Sequence, residues 1–508
     1  MKKYVLILAA FFTAGISGCK KDYLSLETNP NTPSATTPQL TLAAALNATA
    51  SNVVGQYNYY GVWAGYWTTS GNYVPNSTIN QYQFTPTSFQ GDWTAWYANL
   101  TNYNALQVLA SKDPKLADYQ AIAMVMKAYG FQVLVDQYND VPYTQAFQPS
   151  TIVFPAYDKG VDIYHDLGKQ LDAAIALMGT AGAVAPGSDD IVYQGDMSKW
   201  TKFANTLKLK LAMRVFTKTP GDELVAKAVA TESLGYIDES SAAIVNPGYS
   251  NQTGKQNPFY ANYGAGPDGN PSANNVYFRA NAFAVNFLNN NNDPRAARLY
   301  APNTPGVIRG NIFGDPNVQT NSFTSAIGPG LNKSASQGQP ILGAPESLFL
   351  QAEAVNSGIF PASSTGLSDG SIANGAAAGS AQALYEGGIT ASFEDLGVGS
   401  TKALSDAAAL AYFTQSTNNI GWTSSGNKEA AIITQKWIAL DGYFNFEGYN
   451  EYRRTGFPAL PSSIDPAAIS PTLPTRIPYP QTELSTNAGN LSKEGTLNYF
   501  SSKIFWAK

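Results

Sequence analysis

The stretch IAMVMKAYGFQVLVDQYNDVP, residues 122–142, carries the pattern that decides the fold. Its apolar side chains recur every three or four residues, which places them on one face of an α-helix. These positions are Ile122, Val125, Met126, Tyr129 and Val133. Pro142 disfavours helical geometry in the residue before it, so the helix is expected to end before Asn139. The segment therefore predicts an amphipathic helix with a defined C-terminal end.

Similar apolar stripes occur along much of the chain. One covers 157–178 and is closed by Gly179, and another covers 200–215 and is expected to be capped by Asp196. A second group of predicted helices follows at 346–357, 376–396, 402–413, 428–440 and 443–454. Successive helices of this length, joined by short turns, pack as helix hairpins. The sequence thus predicts a mostly α fold with a helical scaffold at about 39–236 and 345–457.

The part of the chain between these helical regions, about 237–344, has a different character. It is rich in Asn, Gly, Pro, Ser and Tyr and has few periodic apolar runs. Irregular segments this long are usually functional or disordered, and interleaved aromatic residues such as Tyr277 and Phe278 argue against disorder. The tail, 458–508, begins with a proline-rich stretch that predicts an extended path over the surface. We expect 39–508 to form a single domain.

The N-terminus has the features of a secretory signal peptide, predicted at 1–18. Lys2 and Lys3 precede a short apolar run, and small residues follow it. Ile16-Ser17-Gly18-Cys19 resembles a bacterial lipobox, in which the cysteine is acylated, and Cys19 is the only cysteine of the 508 residues. The alternative is a signal peptide with an incidental cysteine. Residues 19–38 are polar and proline-rich, which predicts a tether between the lipid and the domain.

Composition excludes several classes of function. The net charge of −5 and the lack of long basic runs argue against nucleic-acid binding. A single histidine, His165, and a single cysteine leave no basis for a histidine-dependent triad, a histidine-rich metal site or a cysteine nucleophile. His165 is interpreted as a helix residue without a catalytic role. No cofactor is expected, and the sequence leaves open whether a calcium ion orders the Asn- and Asp-rich loops.

Paired carboxylates are the remaining route to catalysis, because glycoside hydrolysis needs only two of them. The candidates are Asp189, Asp190, Glu353, Glu394, Asp395 and Glu447. Each has a simpler interpretation as a loop or helix-surface charge, and nothing in the sequence selects a pair. We therefore predict no catalytic residues, with hydrolysis as the rival hypothesis.

Aromatic residues give the positive indication of function. Exposed Trp and Tyr rings bind the C–H faces of sugars, while the alternative is core packing. If 39–69 is helical, Trp63 and Trp67 share one of its faces, whereas core packing is favoured for Trp93, Trp96 and Tyr97. The predicted ligand platforms are Trp63, Trp67, Tyr73, Tyr260, Tyr263 and Trp422.

Several segments, taken in order, resemble the SusD/RagB family of outer-membrane nutrient-binding lipoproteins. They are the lipobox, Asn29-Pro30-Asn31, YNDVPY at 138–143, 189–205, NDPR at 292–295, 346–354, QKWIAL at 435–440, EYRRTG at 451–456 and RIPYP at 476–480. These shared motifs are interpreted as structural, with Arg453 and Arg454 expected in ion pairs near a helix C-terminus. Lys20-Lys21-Asp22 departs from the acidic cluster of the family.

The resemblance implies a tetratricopeptide-like helix scaffold with a less regular part that carries the ligand site. It also implies a lipid-anchored protein of the outer membrane that faces the cell surface. Such a protein would pass a glycan, or alternatively a peptide, to a SusC-type TonB-dependent transporter. A purely structural surface lipoprotein is a further alternative.

Overall fold

The computed structural model describes residues 37–55 and 58–508, and its regular structure is mostly helical, as predicted. The predicted signal peptide, Cys19 and almost all of the predicted tether lie outside these residues. Within them, no helix combines the length and the apolar character that a membrane span requires.

The first helical region ends in a short 3₁₀ turn, and its helices follow the predicted pattern closely. They are α1 (Pro38–Gly55), α2 (Asn58–Trp63), α3 (Ser77–Asn80), α4 (Gln90–Ala110), α5 (Ala117–Tyr138), α6 (Gly160–Leu177), α7 (Met197–Phe216) and α8 (Glu223–Ala230). Asp196 caps α7 by accepting hydrogen bonds from the backbone N–H groups of Ser198 and Lys199, and α5 ends at Tyr138 as predicted. The conditional helix over 39–69 is wrong, because the chain leaves α2 at Trp63 and forms a strand.

Consecutive long helices pack against each other in this region. Helix α4 packs on α1 and α5, α5 on α6, and α6 on α7. Trp93 and Trp96 lie in this core, and Tyr97 is half-buried, as favoured from their periodicity. The helix-hairpin interpretation of the apolar stripes is therefore confirmed.

Short elements make up the region between the two helical parts, and they pair with one further strand, β1, from the first helical region. They are α9 (Pro258–Tyr263), α10 (Ala273–Tyr277), α11 (Ala282–Asn290), α12 (Ala296–Leu299), and the strands β1 (Trp67–Thr69), β2 (Ala243–Val245), β3 (Phe278–Ala280), β4 (Tyr300–Ala301), β5 (Ala326–Ile327) and β6 (Gln339–Leu342). The strands form antiparallel pairs β1–β3, β2–β6 and β4–β5. The β1–β3 pair ties this region to the beginning of the first helical region, where β1 follows α2.

The second helical region matches the predicted boundaries within a few residues. Its helices are α13 (Ala344–Asn356), α14 (Ala381–Leu396), α15 (Lys402–Phe413), α16 (Lys428–Leu440) and α17 (Asn445–Thr455). Helix α13 packs on α14, α16 and α7, and α17 packs on α2. The two helical regions therefore share an interface.

Buried ion pairs cross that interface. Burying a charge costs several kcal/mol unless a partner compensates it, and here acidic and basic side chains from both regions alternate. The pairs that join the two regions are Lys210 with Glu346 and Glu447, and Arg214 with Glu447. The neighbouring buried pairs lie within one region: Arg214 with Asp136 in the first, and Lys436 with Glu451 and Arg454 with Glu353 and Glu451 in the second. Arg454 is thus ion-paired as predicted. The same prediction is wrong for Arg453, whose guanidinium instead donates to Asn450 and to the carbonyls of Asp136 and Thr475.

The C-terminal tail returns over the first helical region. It has no helix from 458 to 480, as predicted, and then forms the short helices α18 (Gln481–Thr486) and α19 (Ala488–Leu491). Near its end the indole N–H of Trp506 donates to the Asp136 carboxylate over 2.8 Å, and the Arg214 guanidinium lies 5.0 Å from the centre of the Trp506 ring. Trp506 is fully buried, so the tail completes the core rather than covering it loosely.

Candidate functional site

An open groove of about 440 Å³ lies between the N-terminal end of α4, the α2–α3 segment and α10. Its aromatic lining comes from Tyr59, Phe89, Tyr277 and Phe278. Its polar lining comes from Asn58, Asn76, Thr78, Ser88, Asp92 and Asn274. Aromatic rings beside amide and hydroxyl groups are the chemistry of sites that bind polar organic ligands such as sugars.

The β1–β3 ladder positions one rim of the groove. Thr69 pairs with Phe278, and the N–H of Ser70 continues the ladder by donating to the carbonyl of Tyr277 over 2.9 Å. Tyr73 follows β1 and Tyr277 precedes β3, and the centres of their rings lie 5.4 Å apart with the ring planes at 59°. Tyr73 is 43% exposed and Tyr277 is half-buried, so the pair presents aromatic surface to solvent.

The loop that contains Gln319 and Asn321 supports this rim from the outside. The N–H of Gly71 donates to the carbonyl of Gln319 over 3.0 Å, and the N–H of Asn321 donates to the Asn72 side chain over 2.9 Å. A Cβ atom at Gly71 would lie 2.2 Å from the carbonyl oxygen of Val318, so only glycine allows this approach. Three segments far apart in the sequence therefore hold the Tyr73–Tyr277 pair in place.

The opposite side of the groove contains a strained residue. Phe89 is the N-cap residue of α4 and has φ 60°, in the left-handed region, which costs a non-glycine residue of order 1–3 kcal/mol. Its ring packs 4.1 Å from the ring of Tyr59 and 5.5 Å from that of Phe84. The surrounding aromatic contacts hold the Phe89 ring against the groove.

The groove is close to electrically neutral at pH 7. Asp92 is the one acidic side chain among the described residues that line it, and these include no lysine or arginine. Burial raises the pKa of the Asp92 carboxyl to about 8, although hydrogen bonds from Tyr59 and Gln137 lower it. The protonated, uncharged acid is therefore the major form at neutral pH, which suits an uncharged ligand.

Three of the predicted platforms are buried in the core. Trp63 is 1% exposed, packs against Tyr59 and Phe89, and donates its indole N–H to the carbonyl of Ile79. Trp67 and Tyr263 are also fully buried, with ring centres 5.0 Å apart. The prediction of these three rings as exposed is therefore wrong: aromatic residues of the first helical region enclose Trp63, and the irregular region encloses Trp67 and Tyr263. Trp67 and Tyr263 support the groove from below, because Phe278 packs on both of them and Tyr277 packs on Phe278.

The other three predicted platforms are not brought together. Tyr73 lies at the groove rim. Tyr260, in α9, and Trp422, whose ring packs against Tyr385 and lies 4.9 Å from the Lys428 ammonium, are half-buried and do not line the groove. Sequence reasoning missed Phe89 and Asp92 as site residues and noted Tyr277 only as evidence of order. The Asn-rich loops beside Tyr73 and Tyr277 were the available signal.

Five of the six candidate carboxylates have structural partners, and Asp189, for example, accepts a hydrogen bond from the Tyr119 hydroxyl over 2.8 Å. Glu353 and Glu447 belong to the buried ion pairs, and Glu394 is paired with Lys402. Asp190 accepts hydrogen bonds from the Trp200 indole and three backbone N–H groups. His165 contacts Asp222 over 3.0 Å. Among the residues that the structure describes, no group of three or more His, Cys, Asp or Glu side chains is arranged to hold a metal ion.

Comparison with known proteins identifies the family. Residues 30–480 match the SusD-like family that is described as starch-binding and associating with the outer membrane. The chain belongs to this SusD-like family. It is a family of binding proteins and not a known family of enzymes. A search of curated protein sequences found no match.

Solved structures share the SusD-like fold over nearly the whole chain. A chitin-binding protein has 26% identity and a TM-score of 0.75, with 93% of this chain and 100% of that one covered. A chitin-binding SusD homolog from Flavobacterium johnsoniae has 22% identity and a TM-score of 0.71, with 92% and 98% covered. A SusD-like protein from Bacteroides thetaiotaomicron has 23% identity and a TM-score of 0.72, with the same coverage. These likenesses confirm the mostly α SusD-like fold.

Proposed function

We propose that this chain is an outer-membrane lipoprotein that binds an oligosaccharide in the groove beside Tyr73 and Tyr277. The exposed pair of tyrosine rings above a neutral, amide-lined groove is the observation that carries the proposal. The family match over 30–480 supports it, as does the similarity to two structures that are named as chitin-binding. A chitin oligosaccharide is therefore the first ligand to test.

The groove supplies both kinds of contact that a sugar needs. The tyrosine faces carry partial negative charge and attract the C–H groups of a pyranose ring. The side chains of Asn58 and Asn274 offer donors and an acceptor for sugar hydroxyl or acetamido groups, and Asn76, whose oxygen caps α3 by accepting from the Ile79 N–H, offers its amide N–H groups. A neutral Asp92 adds no charge that would disfavour an uncharged ligand.

The anchoring and delivery steps complete the proposal. Cys19 carries the lipid, residues 19–38 form the tether, and the domain faces the cell surface, where it passes its ligand to a SusC-type TonB-dependent transporter. The supporting evidence is the sequence Ile16-Ser17-Gly18-Cys19 and the description of the family as outer-membrane associated. Mass spectrometry of the native protein should find an acylated Cys19, and purification from native membranes should recover a large β-barrel receptor with it.

Calorimetric titration tests the ligand proposal directly. A soluble form without residues 1–19 is titrated with chitin oligosaccharides, starch oligosaccharides and a capped peptide. Tyr277→Ala and Tyr73→Ala should each weaken oligosaccharide binding about tenfold, because each removes one of the paired rings. Tyr260→Ala and Trp422→Ala are matched controls that remove half-buried aromatic rings outside the groove and should leave the affinity unchanged.

Other outcomes favour other functions. Loss of binding in Tyr260→Ala or Trp422→Ala, with Tyr277→Ala unaffected, would move the site away from the groove. Binding of the capped peptide alone would favour the peptide-binding alternative. Release of shorter sugars from a glycan would favour hydrolysis, and the absence of any soluble ligand and any transporter would favour a structural surface protein.

A further inference from the structure

A second cavity, of about 420 Å³, lies between α4, α5 and α6 and the turn after Pro142. It shares no lining residue with the groove beside Tyr277. Its walls combine apolar side chains, among them Met124, Phe131 and Leu167, with one basic and one acidic side chain, Lys127 and Asp166. The proposed oligosaccharide site makes no use of these residues.

Lys127 is held in place with one N–H left for a ligand. Its ammonium donates to the side-chain oxygens of Asn104 and Gln107, both over 2.8 Å, and lies 5.4 Å from the centre of the Phe147 ring. An ammonium has three N–H groups, so two are used by these amides. Burial lowers the pKa of Lys127 to about 8, although the charge of Asp166 raises it, so the ammonium is the major form at neutral pH.

Asp166 likewise has one carboxylate oxygen engaged in hydrogen bonds and one available for a ligand. One carboxylate oxygen accepts hydrogen bonds from the Tyr143 hydroxyl and the Gln170 amide. Among the described residues the other oxygen, Oδ1, has no hydrogen-bond partner, and Asp166 acts on Lys127 through its charge without a hydrogen bond between them. The Lys127 ammonium and the Asp166 carboxylate therefore line the same cavity without contacting each other. Each has hydrogen-bonding capacity left for a ligand placed between them.

We propose that this cavity binds a small zwitterionic ligand, a short peptide with unblocked ends, with its carboxylate on Lys127 and its ammonium on Asp166. The apolar walls contact the ligand's side chain. A sugar fits less well, because the Lys127 ammonium covers the face of Phe147 on which a pyranose ring would stack. A simple anion is repelled by Asp166, which a zwitterion instead satisfies.

The test compares one tripeptide in two chemical forms. Gly-Leu-Gly with free ends, and the same peptide with an acetylated N-terminus and an amidated C-terminus, are titrated into the soluble protein at pH 7. The free peptide should bind at least tenfold more tightly, because blocking removes both charges. Lys127→Met and Asp166→Asn should each weaken its binding about 10- to 100-fold, the range for a lost hydrogen bond between charged groups.

Matched controls separate this site from the groove. Asp166→Asn is nearly isosteric and keeps an oxygen acceptor for Tyr143, so its fold should be retained even if Lys127→Met is unstable. Both variants should bind chitin oligosaccharide like the unmodified protein, and Tyr277→Ala should bind the free tripeptide normally. Equal binding of the free and blocked peptides, no binding of either, or unchanged tripeptide binding by Asp166→Asn would overturn the proposal. None of these outcomes bears on the oligosaccharide site.

Discussion

Removing the Arg454 guanidinium should take away the cation shared by two buried carboxylates, Glu353 and Glu451, near the interface of the helical regions. Arg454, in α17, is 1% exposed and contacts both carboxylate oxygens of Glu353, in α13, over 2.6 and 2.8 Å. It also donates to Glu451, one turn earlier in its own helix. Arg454→Met keeps much of the volume of the side chain but leaves Glu353 without its cation.

The size of the effect follows from what each carboxylate retains. Glu451 keeps an ion pair with Lys436 over 2.8 Å, whereas the ion pair of Glu353 among the described residues is the one with Arg454. Breaking a buried pair from one side costs about 3–5 kcal/mol, because an uncompensated charge remains. We therefore expect Arg454→Met to lower the free energy of unfolding by about 4 kcal/mol at pH 7. In Arg454→Met/Glu353→Leu about half of that loss should be recovered, because no unpaired carboxylate remains at position 353.

Urea unfolding followed by tryptophan fluorescence measures both values. Burial already raises the pKa of Glu353, with Arg454 opposing the rise, so loss of Arg454 raises it further. A carboxyl whose pKa is raised on folding contributes stability at low pH that is lost as the pH rises through the folded-state pKa. The deficit of Arg454→Met should thus be smaller at pH 5 than at pH 8. A deficit below about 1 kcal/mol, or a double variant less stable than the single one, would refute this reasoning.

Four further substitutions test the candidate site and the buried residues beneath it. Gly71→Ala should lower stability by about 1–3 kcal/mol and weaken oligosaccharide binding, since its Cβ would meet the Val318 carbonyl at 2.2 Å; thermal unfolding and calorimetry measure the two effects. Burial raises the pKa of Asp92 to about 8, so its ionisation above pH 6 opposes folding. The free energy of unfolding should therefore fall by about 1 kcal/mol per pH unit between pH 6 and 8. Asp92→Asn removes this ionisation, and its free energy of unfolding should depend less on pH over that range. Trp67→Ala should cost about 3–5 kcal/mol as a core truncation, whereas Tyr73→Ala should leave the unfolding temperature nearly unchanged.

The helical regions could be predicted because their signals are local. The cap at Asp196 and the end of α5 at Tyr138 depend on neighbouring residues, and the structure confirms both. Helices α15 and α16 begin and end at the predicted residues. Periodic apolar positions and their breakers are readable in one sequence, since each involves residues less than two turns apart.

The site could be predicted only in part, because exposure is a property of the folded chain. Trp67 and Tyr73 both lie near glycines in the sequence, yet the first is fully buried and the second is 43% exposed. The difference comes from the pairing of β1 with β3, strands of three residues each that are too short to show a period. The raised pKa of Asp92 likewise depends on its burial in the folded chain, which outweighs the hydrogen bonds from Tyr59 and Gln137 that lower it.

The contact between Trp506 and Asp136 sets a lower limit on when this protein can finish folding. The two residues are 370 positions apart, so Asp136 is synthesised, and under the proposed export crosses the membrane, well before Trp506. During that interval helix α5 has been synthesised but still lacks the indole that fills its buried end. A nascent chain therefore stays incompletely packed until its last few residues emerge, and removing only those residues should leave the first helical region in that unfinished state.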